Sequence, residues 1–142
     1  YNYRMTDIQA AVGREQLKRL PMLLARRRRL ASRYLKLLAS VPGLGLPKEP
    51  SWALSNWQSF CVRLPAGKNQ RRVMQAMLDA GVESRRGVMC SHRERPYAGA
   101  KRRHALVCSE EAQKRCIILP LYHQLTEKEQ DQVISALRDA CR

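Results

Sequence analysis

The stretch from Thr6 to Val41 constrains the fold most, because its apolar residues recur at the helical period over many turns. Thr6 and Gln9 have the spacing of a capping box, in which each side chain pairs with a backbone N–H group of the first helical turn. This pair predicts a helix that begins at about Asp7. The apolar residues that share one face of this helix are Ile8, Ala11, Val12 and Leu20.

A second helix is predicted after a break at Leu20 and Pro21. Proline fits the first turn of a helix, because its missing N–H group would be unpaired there anyway. The apolar residues of this second helix are Leu23, Leu30, Ala31, Tyr34, Leu37, Leu38 and Val41. Since Pro42 and Gly43 end the pattern, we expect two N-terminal helices over about residues 7–41.

The four arginines from Arg26 to Arg29 cover more than one helical turn, so one of them must lie close to the apolar stripe and extend its charge outward. Two interpretations are open: the run is a solvated helical face, or it is a surface that binds nucleic acid. We favour the solvated face, which is the usual environment of a charged run on a helix.

Beyond residue 41 the chain alternates between strand and helix patterns. Three prolines between Pro42 and Pro50 indicate a loop. Residues 56–64 alternate as a half-buried strand does, and residues 82–88 and 116–119 are predicted as two further strands. The inward residues of the first strand are Phe60, Val62 and Leu64.

Three more helices are predicted from their caps. Asn69 caps a helix that ends at Gly81, and Ser109 caps a short helix. Thr126 and Glu129 form a second capping box for the last helix. The inward residues of the Asn69 helix are Val73, Met74, Met77 and Leu78, and those of the last helix are Val133, Ile134, Leu137 and Cys141.

Strands separated by helices predict an α/β fold, a small α/β sandwich in which a short sheet is covered by helices. The α/β portion spans about residues 52–142. The pattern leaves the order and direction of the strands open. Residues 89–103 show no periodicity, and a loop of this length in a small domain is usually functional or disordered.

The composition indicates a basic globular domain. Apolar residues make up 44% of the 142 residues, and no apolar run approaches the roughly 20 residues needed to cross a membrane. We therefore expect a cytoplasmic protein without membrane partners. The net charge of +15 favours encounters with anionic ligands. The five cysteines are odd in number and lack C-x-x-C spacing, so reduced thiols are expected.

Two segments carry a resemblance to a known family. They are Asn2–Gly13, continued by Gln16, Leu17 and Leu20, and the closing pair Leu119–Tyr122 and Leu125–Asp131. The first resembles the segment after the cofactor lysine in DegT/DnrJ/StrS-type sugar aminotransferases, which depend on pyridoxal phosphate. Both occur in family order at about the family's separation, so the resemblance spans nearly the whole chain.

The resemblance implies that residues 1–142 are the C-terminal small domain of a fold-type-I aminotransferase that acts on a nucleotide-linked keto sugar, usually with glutamate as amino donor. In this family a large N-terminal domain supplies the Schiff-base lysine and most contacts to the cofactor. The chain starts with Tyr rather than Met, and we interpret it as a fragment. We expect no catalytic residue in it and no activity from it alone, because the lysine is indispensable.

The resemblance also implies site residues. The family works as homodimers, and its Asn of the Asn-Tyr-Arg segment reaches the cofactor phosphate of the neighbouring subunit. That residue is Asn2, and Arg4 is close enough in sequence to help orient a phosphate. The alternative is that both belong to the frayed polar leader of a helix.

A second implied site lies in the stretch from Arg85 to His92 and in the pair Pro96 and Tyr97. It resembles the family segment near the sugar-nucleotide substrate, which makes Arg86, His92 and Tyr97 candidate substrate-binding residues. This chain has Cys90 and Ser91 where many members have Pro-Leu, and it adds arginines that would suit a diphosphate. The alternative for His92 is an ordinary surface histidine.

Other functions are less well supported. A basic module for nucleic acid or another partner would fit the charge, but the chain has only one Phe and two Trp and no named nucleic-acid-binding motif. Cys90, His92, His104 and Cys108 match no familiar zinc spacing, so no metal site is expected.

Overall fold

The computed structural model describes residues 3–97, 99 and 104–142. Within these residues the α-helices are α1 Asp7–Leu38, α2 Gln70–Asp79, α3 Val107–Arg115 and α4 Glu127–Ala140. The strands are β1 Phe60–Arg63, β2 Arg85–Arg86 and β3 Cys116–Leu119. Two short 3₁₀ helices, Ser91–Arg93 and Arg95–Tyr97, lie between β2 and α3. The predicted α/β fold is confirmed.

The sheet has the order β1-β3-β2, and both pairs of strands are antiparallel. Val62 lies opposite Ile117 and Phe60 lies opposite Leu119, so the fully buried side chains of β1 and β3 share one face. This face joins one hydrophobic core with residues of α1, α2 and α4. The predicted alternation in the first strand is therefore confirmed.

Helix α1 begins as predicted. The backbone N of Thr6 donates to Gln9 Oε1 over 2.9 Å, and the backbone N of Gln9 donates to Thr6 Oγ1 over 3.3 Å. The second capping box, formed by Thr126 and Glu129, also opens its helix as expected.

The predicted break at Leu20 and Pro21 is wrong, because α1 runs without interruption from Asp7 to Leu38. A proline inside a helix removes one backbone hydrogen bond, here the bond to the carbonyl of Leu17. That residue is 66% exposed, so water can satisfy its carbonyl. The missing bond therefore does not end the helix.

The core ties α1 to the rest of the domain through two buried polar side chains. The Tyr34 hydroxyl donates to the Pro120 carbonyl over 2.9 Å, and burial raises the pKa of Tyr34 above its ordinary value. Gln130 of α4 is fully buried and donates through Nε2 to the Leu30 carbonyl over 2.8 Å. Both bonds satisfy groups that would be costly to bury unpaired.

Two predicted strands are shorter than expected. β1 starts at Phe60 rather than at residue 56, because Trp57 has a positive φ of 48° that no strand accommodates. β2 has two residues rather than seven, since Val82 packs into the core and its N–H group donates to the Met77 carbonyl at the end of α2.

Two side-chain predictions are also wrong. Ser109 does not cap α3, which has Leu106 at its N-cap and no capping side chain. Instead Ser109 lies inside the first turn, and its carbonyl accepts a hydrogen bond from Cys90 Sγ at 3.2 Å. Leu78 was expected to face inward, yet it is 53% exposed, because Val73 and Met77 already fill the buried side of α2.

No helix in the described part of the chain is long and apolar enough to span a membrane.

Candidate functional site

The candidate cofactor contacts lie ahead of α1. Asn2 falls outside the described residues. Arg4 is exposed on the lead-in that precedes the Thr6 cap. The structure thus locates one of the two residues, next to the fixed start of a long helix.

Three arginine side chains of α1 donate hydrogen bonds to backbone carbonyls of neighbouring loops. Arg26 donates to the carbonyls of His123 and Leu125, the latter over 2.8 Å. Arg27 donates to the carbonyls of Trp57 and Gln58 over 3.1 and 2.7 Å. Arg28 donates to the Ser55 carbonyl over 3.1 Å. All three are partly buried, so the expected solvated face is restricted to Arg29.

The candidate substrate loop is fixed to α3 by an ionic cluster. His92 Nε2 lies 3.0 Å from Glu110 Oε1, and Arg93 donates to Glu110 Oε2 over 2.7 Å. Arg93 also donates to the side chain of Gln113 over 3.0 Å. The hydrogen bond from His92, followed by that from Arg93, lowers the pKa of Glu110 below its ordinary value. The histidine is therefore held by a carboxylate rather than being an isolated surface side chain.

The three candidate substrate residues occupy different places. Arg86 is exposed on β2, beside the ionic cluster, and Tyr97 is 54% exposed at the end of the second 3₁₀ helix. Neither forms a hydrogen bond with His92 among the described residues. The geometry groups Arg86 with Arg93 instead, because both line one groove.

We call this groove the basic groove. It has a volume of about 800 Å³ and lies between the start of α2, β2, the first 3₁₀ helix and the end of α3. Its basic side chains are Lys68, Arg71, Arg86, Arg93, Lys114 and Arg115, against two carboxylates, Glu94 and Glu111. Sequence reasoning pointed to Arg86 and to the added arginines of the following loop, of which Arg93 lines the groove. The other cations come from segments far apart in the chain.

A second cavity of about 600 Å³ lies beside the end of β3. Gln58 and Leu125, whose carbonyls are held by Arg27 and Arg26, both line it. Ser84 also lines this cavity, and its buried Oγ has no hydrogen-bond partner among the described residues. No sequence motif indicates this cavity, because loop carbonyls and a single serine have no characteristic spacing.

The structure offers no metal centre in its described part, where no group of three or more potential ligands converges. The Cys90 thiol is engaged by Ser109 and the His92 ring by Glu110, and Cys108 is exposed. Burial, followed by the neighbouring Cys116, raises the pKa of the Cys61 thiol to about 11. All five cysteines are free thiols.

Comparison with known proteins places this geometry in context. A model of the DegT/DnrJ/EryC1/StrS aminotransferase family matches residues 1–138. The aminotransferase TlmJ from Streptoalloteichus hindustanus is 28% identical with a TM-score of 0.86, over 96% of this chain and 36% of that one. DesV of S. venezuelae is 29% identical with a TM-score of 0.88, over 98% of this chain and 38% of that one.

A DegT DnrJ EryC1 StrS aminotransferase from Brucella abortus is 27% identical, with a TM-score of 0.85 over 97% of this chain and 36% of that one. The chain therefore spans little more than a third of the length of these solved structures.

Proposed function

This chain belongs to the DegT/DnrJ/EryC1/StrS aminotransferase family, and we propose that it is the C-terminal domain of a pyridoxal-phosphate-dependent enzyme that aminates a nucleotide-linked keto sugar. The match of the family model to residues 1–138 carries this proposal. In the proposed enzyme the preceding large domain holds the cofactor and its lysine, and glutamate serves as amino donor. The bound cofactor would act as the electron sink for transamination.

Arg4 is exposed, and it lines neither the basic groove nor the second cavity. Transamination requires a lysine that joins the cofactor as an imine, and the family resemblance assigns that lysine to the preceding large domain. We therefore propose that the chain alone has no turnover.

Within the whole enzyme, we propose that Asn2 and Arg4 contact the cofactor phosphate of the neighbouring subunit in a homodimer. An amide donates two hydrogen bonds and a guanidinium donates in pairs, so both suit phosphate oxygens. The Thr6 capping box fixes the first turn of α1, which directly follows this lead-in.

Arg86, His92 and Tyr97 would contact the substrate from the small domain. The Glu110 carboxylate holds the His92 ring in one orientation, which favours a positioned hydrogen-bonding group over a mobile surface side chain. Its tether to α3 also keeps the loop of residues 89–97 against the domain.

The alternative of a nucleic-acid-binding module has lost its main support. Arg26, Arg27 and Arg28 form hydrogen bonds to loop carbonyls, so three of the four consecutive arginines are engaged within the domain. The net charge of +15 remains as a source of long-range attraction.

The test is an absorbance spectrum of the complete gene product, with pyridoxal phosphate added first and glutamate second. We expect a band from the bound cofactor that glutamate converts to the amine form, and neither change for residues 1–142 alone. Cofactor binding by the isolated chain, or failure of the complete protein to bind it, would contradict the proposal.

Asn2→Ala in the complete protein tests the phosphate contact. Removal of one hydrogen-bonding partner of a charged group should weaken cofactor affinity about tenfold. Gln16→Ala is the matched control, because it removes an exposed amide from α1. Equal affinity of the two variants would exclude the assigned role of Asn2.

A further inference from the structure

We propose that Cys61 and Cys116 form a site of reversible oxidation, at which a low-molecular-weight disulfide such as oxidised glutathione links the two thiols as an intramolecular disulfide. The two cysteines lie on the neighbouring antiparallel strands β1 and β3. Both are free thiols in the structure, which therefore represents the reduced form of the site. The inference goes beyond the proposed function and does not rest on it, because both residues belong to this chain.

The register of the sheet makes the two cysteines neighbours. Cys61 lies opposite Ile118 and Cys116 lies opposite Arg63, so the cysteines are diagonal partners two positions apart in the register. Because side chains alternate along a strand, both thiols lie on the sheet face opposite the hydrophobic core. Diagonal partners on one face of an antiparallel pair are close enough for their side chains to interact.

The backbone of Gly87 shows that no other side chain separates the two cysteines. The Gly87 N–H group donates to the Cys116 carbonyl over 2.8 Å, so this residue continues the pairing of β2 with β3. A Cβ atom on residue 87 would lie 2.7 Å from Cys61 Sγ and 2.7 Å from Cys116 Cβ. One methyl-sized volume thus borders both side chains, and glycine leaves it open for the movement of the sulfur atoms.

The Cys61 side chain also has room to move toward its partner. It lines a cavity of about 410 Å³ under the loop of residues 47–55. Side chains in a close-packed interior are held in place by their neighbours, whereas a side chain at a cavity can change its rotamer. Both cysteines are partly exposed, so a small oxidant in solution has access to the pair.

The reaction consists of two thiol–disulfide exchanges. The Cys116 thiolate attacks one sulfur atom of oxidised glutathione, which breaks the glutathione disulfide and releases one glutathione thiolate. Cys61 then loses its proton to solvent, its sulfur attacks the Cys116 sulfur, and the second glutathione thiolate leaves. The released thiolates take up the two protons, so two protein thiols are oxidised by two electrons while one disulfide is reduced.

The order of the two steps follows from the environment of Cys61. Burial, followed by the neighbouring Cys116 and a hydrogen bond with its thiol, raises the pKa of Cys61 to about 11. Only the thiolate is an effective nucleophile, so Cys61 is a poor first attacker near pH 7. We therefore assign the first attack to Cys116 and the second, intramolecular step to Cys61.

The experiment is incubation of reduced residues 1–142 with oxidised glutathione, followed by alkylation of the remaining thiols and peptide mapping by mass spectrometry without reduction. We expect a peptide with Cys61 linked to Cys116, at least about tenfold above any other intramolecular cysteine pair, because proximity accelerates the second exchange. The exposed Cys108 should instead retain bound glutathione. Dithiothreitol should restore all of these thiols.

Single substitutions separate the two steps. Cys61→Ser should leave glutathione bound to Cys116, because the thiol that displaces it is missing, and Cys116→Ser should leave Cys61 mainly reduced. Cys108→Ser is the matched control, since it removes an exposed thiol outside the pair and should form the Cys61–Cys116 disulfide as fast as the unmodified chain. Serine replaces a single sulfur atom by oxygen, and circular dichroism checks that each variant is folded.

Three results would overturn the assignment. In the first, Cys61 and Cys116 stay reduced while Cys108 carries glutathione. In the second, the unmodified chain keeps a stable mixed disulfide on Cys116, which would mean that the two sulfur atoms do not meet. In the third, the two cysteines are linked only between chains, seen as a dimer on a non-reducing gel, which would assign them to a contact between copies.

Discussion

At the scale of single residues, the arginines of α1 act as hydrogen-bond donors to irregular backbone. Loop carbonyls have no ladder partner, and a buried one without a donor is costly. Arg27 satisfies the carbonyls of Trp57 and Gln58, while Arg26 satisfies those of His123 and Leu125. One helix therefore fixes two loops through side chains that look, in the sequence, like a simple charge run.

We expect Arg27→Ala to lower the free energy of unfolding by about 1–3 kcal/mol, because it leaves the Trp57 and Gln58 carbonyls without their donor. Urea unfolding followed by circular dichroism measures this change. Arg29→Ala is the control, since this exposed neighbour should change stability by less than about 0.5 kcal/mol. Equal effects of the two substitutions would show that Arg27 contributes only its charge.

The sequence predicts part of this residue-scale picture. Helical geometry requires one arginine of the run to lie near the apolar stripe, and that much follows from the spacing alone. The carbonyls that bind Arg26 and Arg27 lie about 30 to 99 residues away in the chain. Such partners are set by tertiary packing, so no local pattern identifies them.

At the scale of elements, Pro21 weakens a helix that it does not interrupt. Pro21→Ala would restore the backbone hydrogen bond to Leu17 and remove the clash of the ring with the preceding turn. We expect slower amide hydrogen exchange for residues 7–20, with little change for residues 30–38, which pack on the core. Unchanged exchange in residues 7–20 would mean that this half of α1 is limited by its lack of packing, not by the proline.

The capping box of α4 makes the stability of the fold depend on pH. Hydrogen bonds from the backbone N–H of Thr126, and then from its hydroxyl, lower the pKa of Glu129 below its ordinary value of 4.5. A carboxylate whose pKa is lower in the folded state than in the unfolded state stabilises the fold at pH values above its unfolded-state pKa. This stabilisation is lost as the pH falls through the folded-state pKa. We expect the unfolding midpoint of the unmodified chain to decrease below about pH 4.5.

Glu129→Gln should flatten this decrease, because the amide accepts the same hydrogen bonds without titrating. Glu127→Gln is the control, since it removes a charge from the same helical turn without the contact to Thr126. Thermal unfolding between pH 3 and pH 6 compares the variants. A similar pH profile for Glu129→Gln and the unmodified chain would exclude the capping carboxylate as its source.

Caps and periodicity predicted the elements well where local chemistry decides the outcome, as at Thr6, Asn69 and Thr126. The pattern failed where packing decides. Helix α3 begins at Val107, ahead of Ser109, and has no capping side chain, while the Ser109 carbonyl accepts a hydrogen bond from Cys90 Sγ. The antiparallel order β1-β3-β2 and the basic groove also depend on contacts between distant segments, which a single sequence does not encode locally.

At the scale of the whole molecule, the N-terminal half of α1 presents an apolar face to solvent. Ile8 is 79% and Val12 is 57% exposed, although both follow the helical period. A periodic apolar face of this kind usually marks a contact surface. This chain spans little more than a third of the solved aminotransferases it resembles. We propose that the large domain or the partner subunit of the proposed enzyme covers this face.

The face predicts how residues 1–142 behave in isolation. We expect concentration-dependent self-association by sedimentation velocity, because association removes Ile8 and Val12 from water at roughly 25 cal/mol for each Å² of apolar surface buried. Ile8→Gln with Val12→Gln should shift the chain toward monomer. Its urea midpoint should stay nearly the same, since these side chains lie outside the hydrophobic core.

Trp52→Gln is the matched control, because this tryptophan is also exposed but lies in the loop between α1 and β1. If it reduces association as much as the helix variant does, the contact is general hydrophobic attraction and not a property of α1. If only the helix variant becomes monomeric, the face is a defined surface. The same two substitutions in the complete protein would then weaken domain packing or dimer formation, which links the behaviour of this chain to its proposed place in the enzyme.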